Sequence, residues 1–344
     1  MKKLLNLSLL IVVACCSTAC TGMLYTSIDV LRPAKVAFPT GRLLIVNNAA
    51  TQPPKEGHST WLLEDTKRNI EQATDSLSML LLSALSEEIA GKTFFTGEEL
   101  IYKSLNTTGD YRKVQSLTAD QVKELCRRYN ADALLALNRL ETSSRLEEFY
   151  QDYYVYGLSL AAIYRSDWSV HRPGVEQSER LQFADSLFWE DTAFSRKEVF
   201  ERFPLRGDAL KNGALYIGRK SVKRFLPYWE PEDRYFFDVR GKLMKQGLDS
   251  IYAKNWSAAI ALWERAFEQS KRLSEKAFAA NNLAVAYEMS GDLSKAWDYI
   301  NKAIEIYRQK TNTDHLKFYR MSVYHQQLDR RRKEEAALSR QMQQ

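Results

Sequence analysis

The sequence predicts an α+β/α fold, a small mixed α/β sheet domain followed by an α-helical repeat domain. Two observations predict it. The first part of the chain alternates short apolar runs with stretches of helical spacing, whereas the second aligns with itself at one fixed offset. A length of 344 residues with 45% hydrophobic side chains is enough for two cores. The charged residues, 27% of the chain, are well mixed, which argues against wholesale disorder. The net charge of +6 falls to +4 once Lys2 and Lys3 are removed, too little to argue for nucleic acid.

The N-terminus comes first. Lys2 and Lys3 precede a short apolar run, Leu4–Ala14, which leads into the stretch VVACCSTACTGM. A spanning helix needs about 20 apolar residues, and this run is interrupted well before that. Ser17, Thr18 and Ala19 stand before Cys20, as a peptidase pocket for small side chains requires. The pattern resembles a bacterial lipoprotein signal, in which that cysteine gains acyl chains (the palmitate class) and becomes the first residue. The usual pattern has Leu three residues before the cysteine, where this chain has Ser17. Cys15, after Val12, Val13 and Ala14, is therefore a second candidate. The resemblance implies a signal peptide over 1–19 and a membrane-lipid partner through acylated Cys20. It implies a place in the cell envelope, lipid-anchored to the outer membrane. TGMLY after Cys20 lacks an acidic cluster, which points to the periplasmic face. Cys20 and Cys126 are then the cysteines of the mature chain, and no disulfide is expected even in an oxidising compartment. Cys126 sits with Val122, Leu125 and Tyr129 at helical spacing and reads as a buried helix cysteine.

Residues 20–40, with Pro33 and Pro39, read as a tether, and an α/β domain is expected over 41–235. Arg42–Asn48 (RLLIVNN) is a buried first strand, and AATQPPKEGHST is a loop. From Glu64 to Gly91 the apolar residues recur at three or four, so a long helix is expected, closed by Gly91. Thr118 and Gln121 form a capping box before a helix that Asn130 can end. ADALLALNRLE then reads as a strand, and two further strand runs, split by Pro173 and Gly174, predict an antiparallel meander. A last helix covers Asp208–Leu226. Gly213 and Gly218 within it suggest close packing against a sheet. Pro227 and Pro231 mark the domain boundary.

Residues 236–312 hold two repeats. Gly247 aligns with Ala284, Ala259 with Ala296, Trp263 with Ile300 and Ala266 with Ala303, each pair 37 apart. Each unit also has a polar turn, Lys254-Asn255 and Gly291-Asp292. The second unit, with Leu283, Ala284, Tyr287, Gly291, Ala296 and Ala303, resembles the tetratricopeptide repeat (TPR). The first departs from it at Ser250, where an aromatic is usual. The resemblance implies a protein-binding groove lined by Met244, Leu248, Tyr252, Asn281, Val285 and Glu288. It would be largely apolar, taking an apolar helix or strand. Met244 and Leu248 stand where the family's carboxylate clamp has polar residues, so a free C-terminal carboxylate is not the expected ligand. Two repeats leave an open end, so 313–344 is read as a capping helix and charged tail, with Leu316, Tyr319, Val323 and Leu328 inward. The run RRRKEE reads as a solvated helix end.

Catalytic motifs are missing: the sequence has no GxxxxGK[ST], HExxH, CxxC or GxSxG. His58, His171, His315 and His325 make no metal-ligand spacing. Neighbouring carboxylates such as Glu147-Glu148 and Glu190-Asp191 point different ways and form no acid/base pair by themselves. The aromatic runs EEFYQDYYVYG and LFWE read as strand residues first and as a stacking surface second.

The order strand, long helix, capped helix and ADALLALNRLE resembles the periplasmic α/β domain of the CsgG and TolB N-terminal group. VLRPA, LLIVNN, DSLFWE and PYWEPEDRYFF before a repeat region resemble uncharacterised Bacteroidota-type outer-membrane lipoproteins. The expectation is a non-enzymatic, membrane-anchored scaffold or assembly factor with no cofactor, no metal and no nucleic acid, binding an envelope protein or peptide. The alternatives are a cell-wall or glycan-acting enzyme and a subunit of a CsgG-like envelope assembly.

Overall fold

The computed structural model describes residues 22–39, 41–63, 76–106, 109–152, 154–175, 177–310 and 314–342. The signal-like segment, Cys15, Cys16, Cys20 and the first part of the expected long helix lie outside the described residues. The fold is a mixed α/β sheet domain followed by a helical region. The chain divides into two units, one from Ala34–Pro227 and one from Tyr228–Met342 joined by the stretch up to Pro33.

In the first unit the sheet order is β4-β2-β5-β6-β7, from β2 (Arg42–Asn47), β4 (Gly97–Ile101), β5 (Ala133–Asp152), β6 (Val155–His171) and β7 (Glu179–Ala193). β2 runs parallel to β4 and β5, and β5, β6 and β7 form the antiparallel meander. The expected loop after β2 holds a short strand, β3 (His58–Trp61), parallel to the outer half of β5. Backbone pairing sets it there, with the His58 Nδ1 2.8 Å from Ser144 Oγ. α1 (Leu77–Ala90) and α4 (Arg206–Phe225) bury Leu81, Leu85, Leu210 and Ile217 against the sheet in one core with Leu135, Tyr164 and Trp168. α2 (Ala119–Tyr129) covers another part of the sheet. Its Thr118–Gln121 capping box is formed, and Asn130 ends it in the left-handed region (φ 50°). Cys126 is buried there, and desolvation holds its thiol above the ordinary value. Gly213 does pack on the sheet, since a Cβ there would fall 2.2 Å from Tyr164 Oη, but Gly218 faces α1 at Leu81. A short helix, α3 (Arg196–Arg202), closes a small core with Leu158 and Leu160.

The second unit corrects the tether expectation. Residues Met23–Arg32 form β1, which pairs along its whole length, antiparallel, with β8 (Tyr228–Phe237). Pro231 lies within β8 and does not end the pairing, because a two-stranded ribbon offers it an edge where no N–H is required. Behind the ribbon stand five helices, α5 (Lys242–Tyr252), α6 (Trp256–Gln269), α7 (Leu273–Met289), α8 (Leu293–Arg308) and α9 (His315–Met342). The repeat offset is visible in their turns. Lys254 and Gly291 both take positive φ (56° and 90°). The next residues, Asn255 and Asp292, cap α6 and α8 by accepting from Ala258 N and Lys295 N at 3.1 and 3.0 Å. Ala259, Trp263, Ala296, Ile300 and Ala303 are fully buried. On α9, Leu328 points inward as expected, but the rest of the buried stripe is rotated from the expected one. Met321, Tyr324 and Leu328 point inward, while Leu316 and Tyr319 are about half exposed. Met321, Tyr324 and Leu328 are three and four apart, one stripe of a straight helix.

Gly247 is the crossing point of α5 and α6, where a Cβ would fall 2.2 Å from Trp263 Nε1. Trp263 is fully buried and donates to Met244 O at 3.2 Å, so it cannot swing away. Gly247→Val is expected to destabilise the protein by about 1–3 kcal/mol through overpacking, read as a lowered urea midpoint. A midpoint equal to wild type would mean the crossing is looser than described.

Candidate functional site

The groove of the helix pairs is occupied by the chain itself. β8 lies along α7, whose residues Ala277–Glu288 are all buried. Asn281 Nδ2 donates to Tyr235 O at 2.8 Å. Asn282 brackets Phe237, accepting from its N at 2.7 Å and donating to its O at 3.1 Å. Phe236 stacks on Trp263 at 5.6 Å and Phe237 on Phe278 at 4.5 Å. Of the six expected groove residues, Met244, Leu248, Asn281, Val285 and Glu288 are therefore buried, and Tyr252 alone is exposed. An open apolar groove is replaced by a filled one. The occupant is an extended strand, the shape expected, but supplied from within.

A buried ionic chain fastens it. Arg234, with no exposed surface, donates Nε and Nη2 to the two carboxylate oxygens of Glu288 at 2.7 and 2.8 Å. Arg331 of α9 donates to the same Glu288 at 2.7 Å. Arg234 also binds Glu232 at 2.8 Å and Gln327 at 3.0 Å. Glu232 in turn holds Arg32 of β1, which reaches Glu230 and Glu334, both at 2.9 Å. So RRRKEE is not simply a solvated end: Arg330 and Glu334 bind Glu230 and Arg32 of the ribbon, and Arg331 binds Glu288 of α7. Burial raises the Glu288 carboxyl, but the bonds and charge of Arg234 and Arg331 outweigh it and the net shift is downward. Burial, reinforced by Glu288, pushes the Tyr324 phenol far up.

Beside this network lies a cleft of about 360 Å³, lined among others by Ser27, Asp233, Tyr235, Arg320, Tyr324 and Gln327. The Arg320 guanidinium rests on the Tyr235 ring at 4.5 Å, a forked cation suited to a carboxylate or amide. No histidine lines it. Among the described residues no group of three or more His, Cys, Asp or Glu is placed to hold a metal.

The α/β unit shows where its aromatic runs went. Trp61, Tyr150, Tyr154, Phe188 and Phe194 are each more than half exposed. They lie along the outer half of the β5–β6–β7 meander and on β3 beside it, with Trp61 and Phe188 on one face and Tyr150 on the other. Trp61 lies beside Glu147, Tyr150 opposite Tyr156 and Ala193, and Phe188 in line with Ala161 and Arg145. Arg145 bridges to the Trp61 ring at 5.7 Å. Trp189 faces the other way, into the small core. Three nearby carboxylates are committed: Glu147 to Arg145, buried Glu148 to Arg196 at 2.5 and 2.9 Å, and Asp191 to Arg202 at 2.5 and 3.0 Å. Sequence reasoning singled out the runs that hold Tyr150, Tyr154 and Phe188, did not single out Trp61 or Phe194, and missed the ribbon, because nothing local in Met23–Arg32 announces a partner strand some two hundred residues away.

This architecture defines a class, an α/β unit spliced into a helical unit between two strands of one ribbon. Residues 40–237 match the family described as "Domain of unknown function (DUF8603)", and the chain belongs to that family. Residues 245–330 match "Domain of unknown function (DUF6340)". No curated protein matches the chain. Two solved structures are similar to parts of it. One is an "uncharacterized protein", 13% identical, covering 56% of this chain and 99% of its own, with a TM-score of 0.23. The other is described as "putative neuraminyllactose-binding hemagglutinin homolog from Helicobacter pylori", 7% identical, covering 65% and 95%, with a TM-score of 0.24. Scores this low carry no argument about fold or function.

Removing one partner of a buried pair strands the other charge, which costs about 3–5 kcal/mol. Glu288→Leu is expected to lose that much stability in urea unfolding, and Arg234→Met combined with Glu288→Leu to recover most of it. A double variant no better than the single would contradict the pairing. Because the folded Glu288 carboxyl is lowered, its contribution is complete above the unfolded value of about 4.3. It is lost as pH falls through the lower folded value. Wild-type stability should therefore drop in acid below about pH 4 more steeply than that of the double variant.

Proposed function

We propose that this protein is a lipid-anchored, non-enzymatic binding protein of the cell envelope, held by acylated Cys20 at the periplasmic face of the outer membrane. It engages an envelope protein or peptide through the aromatic outer half of its α/β sheet. The observation that carries this reading is the contrast between the two candidate surfaces. The TPR-like groove is filled by β8, whereas Trp61 of β3 and Tyr150, Tyr154, Phe188 and Phe194 along the outer half of the meander each stay more than half exposed. Exposed apolar groups gathered along one half of a sheet are the mark of an interaction site. The start of β1 at Met23, three residues after Cys20, supports an anchor set close against a folded unit rather than one on a long tether. No helix among the described residues is long and apolar enough to cross a membrane.

Photo-crosslinking from position 154 in intact cells should yield a defined adduct that is lost in Trp61→Ala with Phe188→Ala. Crosslinking from position 252, the exposed residue of the expected groove, should yield none of it. The same adduct from position 252 alone would return the binding function to the helices. Growth with an alkyne fatty acid should label wild type and leave Cys20→Ala unlabelled. Label retained in that variant would move the anchor to Cys15.

A further inference from the structure

The chain emerges from the helical unit at one end of the ribbon. Gly22 precedes β1, and its carbonyl accepts from Asp238 N at 2.9 Å. The helix ends gather at the same place. Met23 pairs with Phe237, which stacks on Phe278 of α7. Phe278 lies 5.5 Å from Tyr307 at the end of α8, and Tyr307 lies 6.2 Å from Phe318 at the start of α9. Gly241, just before α5, sits against Glu275 in the first turn of α7. The starts of α5, α7 and α9 and the ends of α6 and α8 thus form one surface around the emerging chain.

That surface is basic. Arg240 and Lys242 are exposed, as are Lys271 and Arg272 between α6 and α7. Lys276, Lys310 and Lys317 lie over the rings of Phe267, Tyr307 and Phe278 at 5.0, 4.7 and 5.6 Å, and Arg308 over Phe318 at 5.7 Å. The carboxylates here, Asp238, Glu268, Glu275, Glu305 and Asp314, are fewer, and Asp314 is paired with Lys317 at 3.3 Å. The surface also carries apolar side chains that a purely aqueous face does not need. Leu273 and Leu316, in the first turns of α7 and α9, are 41% and 49% exposed, and Tyr319 lies one turn further along α9. Exposed leucines among lysines and arginines, several with their charged heads over aromatic rings, make the pattern of an interfacial seat. The apolar parts enter the acyl boundary and the charged heads stay with the phosphates.

We infer that this end of the helical unit is a membrane-docking surface that sits on anionic phospholipid headgroups, with Leu273 and Leu316 entering the interface. It rests on the proposed anchor only for where the membrane lies. Acyl chains at Cys20 hold the protein to the bilayer, and the basic end fixes which face of the helical unit meets it.

The test uses the whole chain from Cys20 onward, made acyl-free by Cys20→Ser, and sedimentation with vesicles. Binding is expected to phosphatidylglycerol–phosphatidylcholine vesicles and not to phosphatidylcholine alone, weakening as salt rises. Lys242→Gln with Arg272→Gln should weaken it about 25-fold, at roughly 5-fold per charge. Leu316→Glu should weaken it as well, and Tyr252→Glu, at the other end of α5, should not. These exposed positions leave the core untouched, so a folded variant is available for each. Failure of the acyl-free chain to bind anionic vesicles, or variants that bind like wild type, overturns the docking surface even where Cys20 takes fatty acid. Vesicle binding without fatty-acid label in cells upholds the surface and overturns the anchor.

Discussion

Arg234 has no contact with water, and the two oxygens of an equally buried Glu288 hold it. A charge in that position is tolerated only with a matched partner, and the bidentate fork sets distance and angle together. Such a pair adds little net stability over an apolar one of similar size. What it does add is register. A slip of β8 by one residue would turn Arg234 outward and leave Glu288 alone inside. Glu232, Arg32, Arg331 and Glu334 extend the same requirement to β1 and α9. The ribbon, the helix it lies on and the helix that closes it are therefore locked by one neutral set of charges.

The ribbon also dictates the order of the chain. Arg32 and Tyr228 are paired at its far end, so the α/β unit must leave and return at one place. The unit meets that demand internally. Lys35 N donates to Arg224 O at 3.0 Å, which brings its own two ends side by side. A domain whose termini are adjacent can be spliced into a strand pair without straining it. Closing so long a loop costs little more entropy than closing a moderate one, because the cost grows only with the logarithm of length.

Local chemistry made parts of this legible. The Thr118–Gln121 box, the Asn130 stop and the offset of 37 with its paired turns each follow from residues within one helix or one turn, and each is found in place. Asn281 and Glu288, named from the repeat resemblance, line the face of α7 that receives β8. What local reading could not supply was the identity of that strand. β1 has the period-two burial of a strand, but flanking prolines and a short, mixed composition resemble a linker until its partner is known. β8 contains a proline and three acidic residues, a poor strand by propensity, stabilised by Arg32 and Arg330, which tertiary contact delivers to Glu230 and Glu232. The rotated face of α9 has the same cause. Its inward stripe is the one that meets Arg234 and Glu288 rather than the most apolar one available, with Tyr324 under the guanidinium at 5.0 Å.

The surfaces left for function follow from what is already covered. A pair of helical repeats has a concave face and an open end to satisfy. Here the ribbon fills the first and α9 covers the second, so neither remains as a receptor. The side of the unit that intramolecular packing does not consume is the ring of helix ends, and those ends carry leucines and lysines rather than a neutral polar rim. In the α/β unit, α1, α3 and α4 cover the sheet toward its core, and the outer half of the long meander keeps its aromatics in water. An isolated exposed Tyr on a strand needs no explanation. Five large aromatics along the outer half of one sheet do, because each forfeits part of the roughly 1.5–3 kcal/mol that full burial supplies.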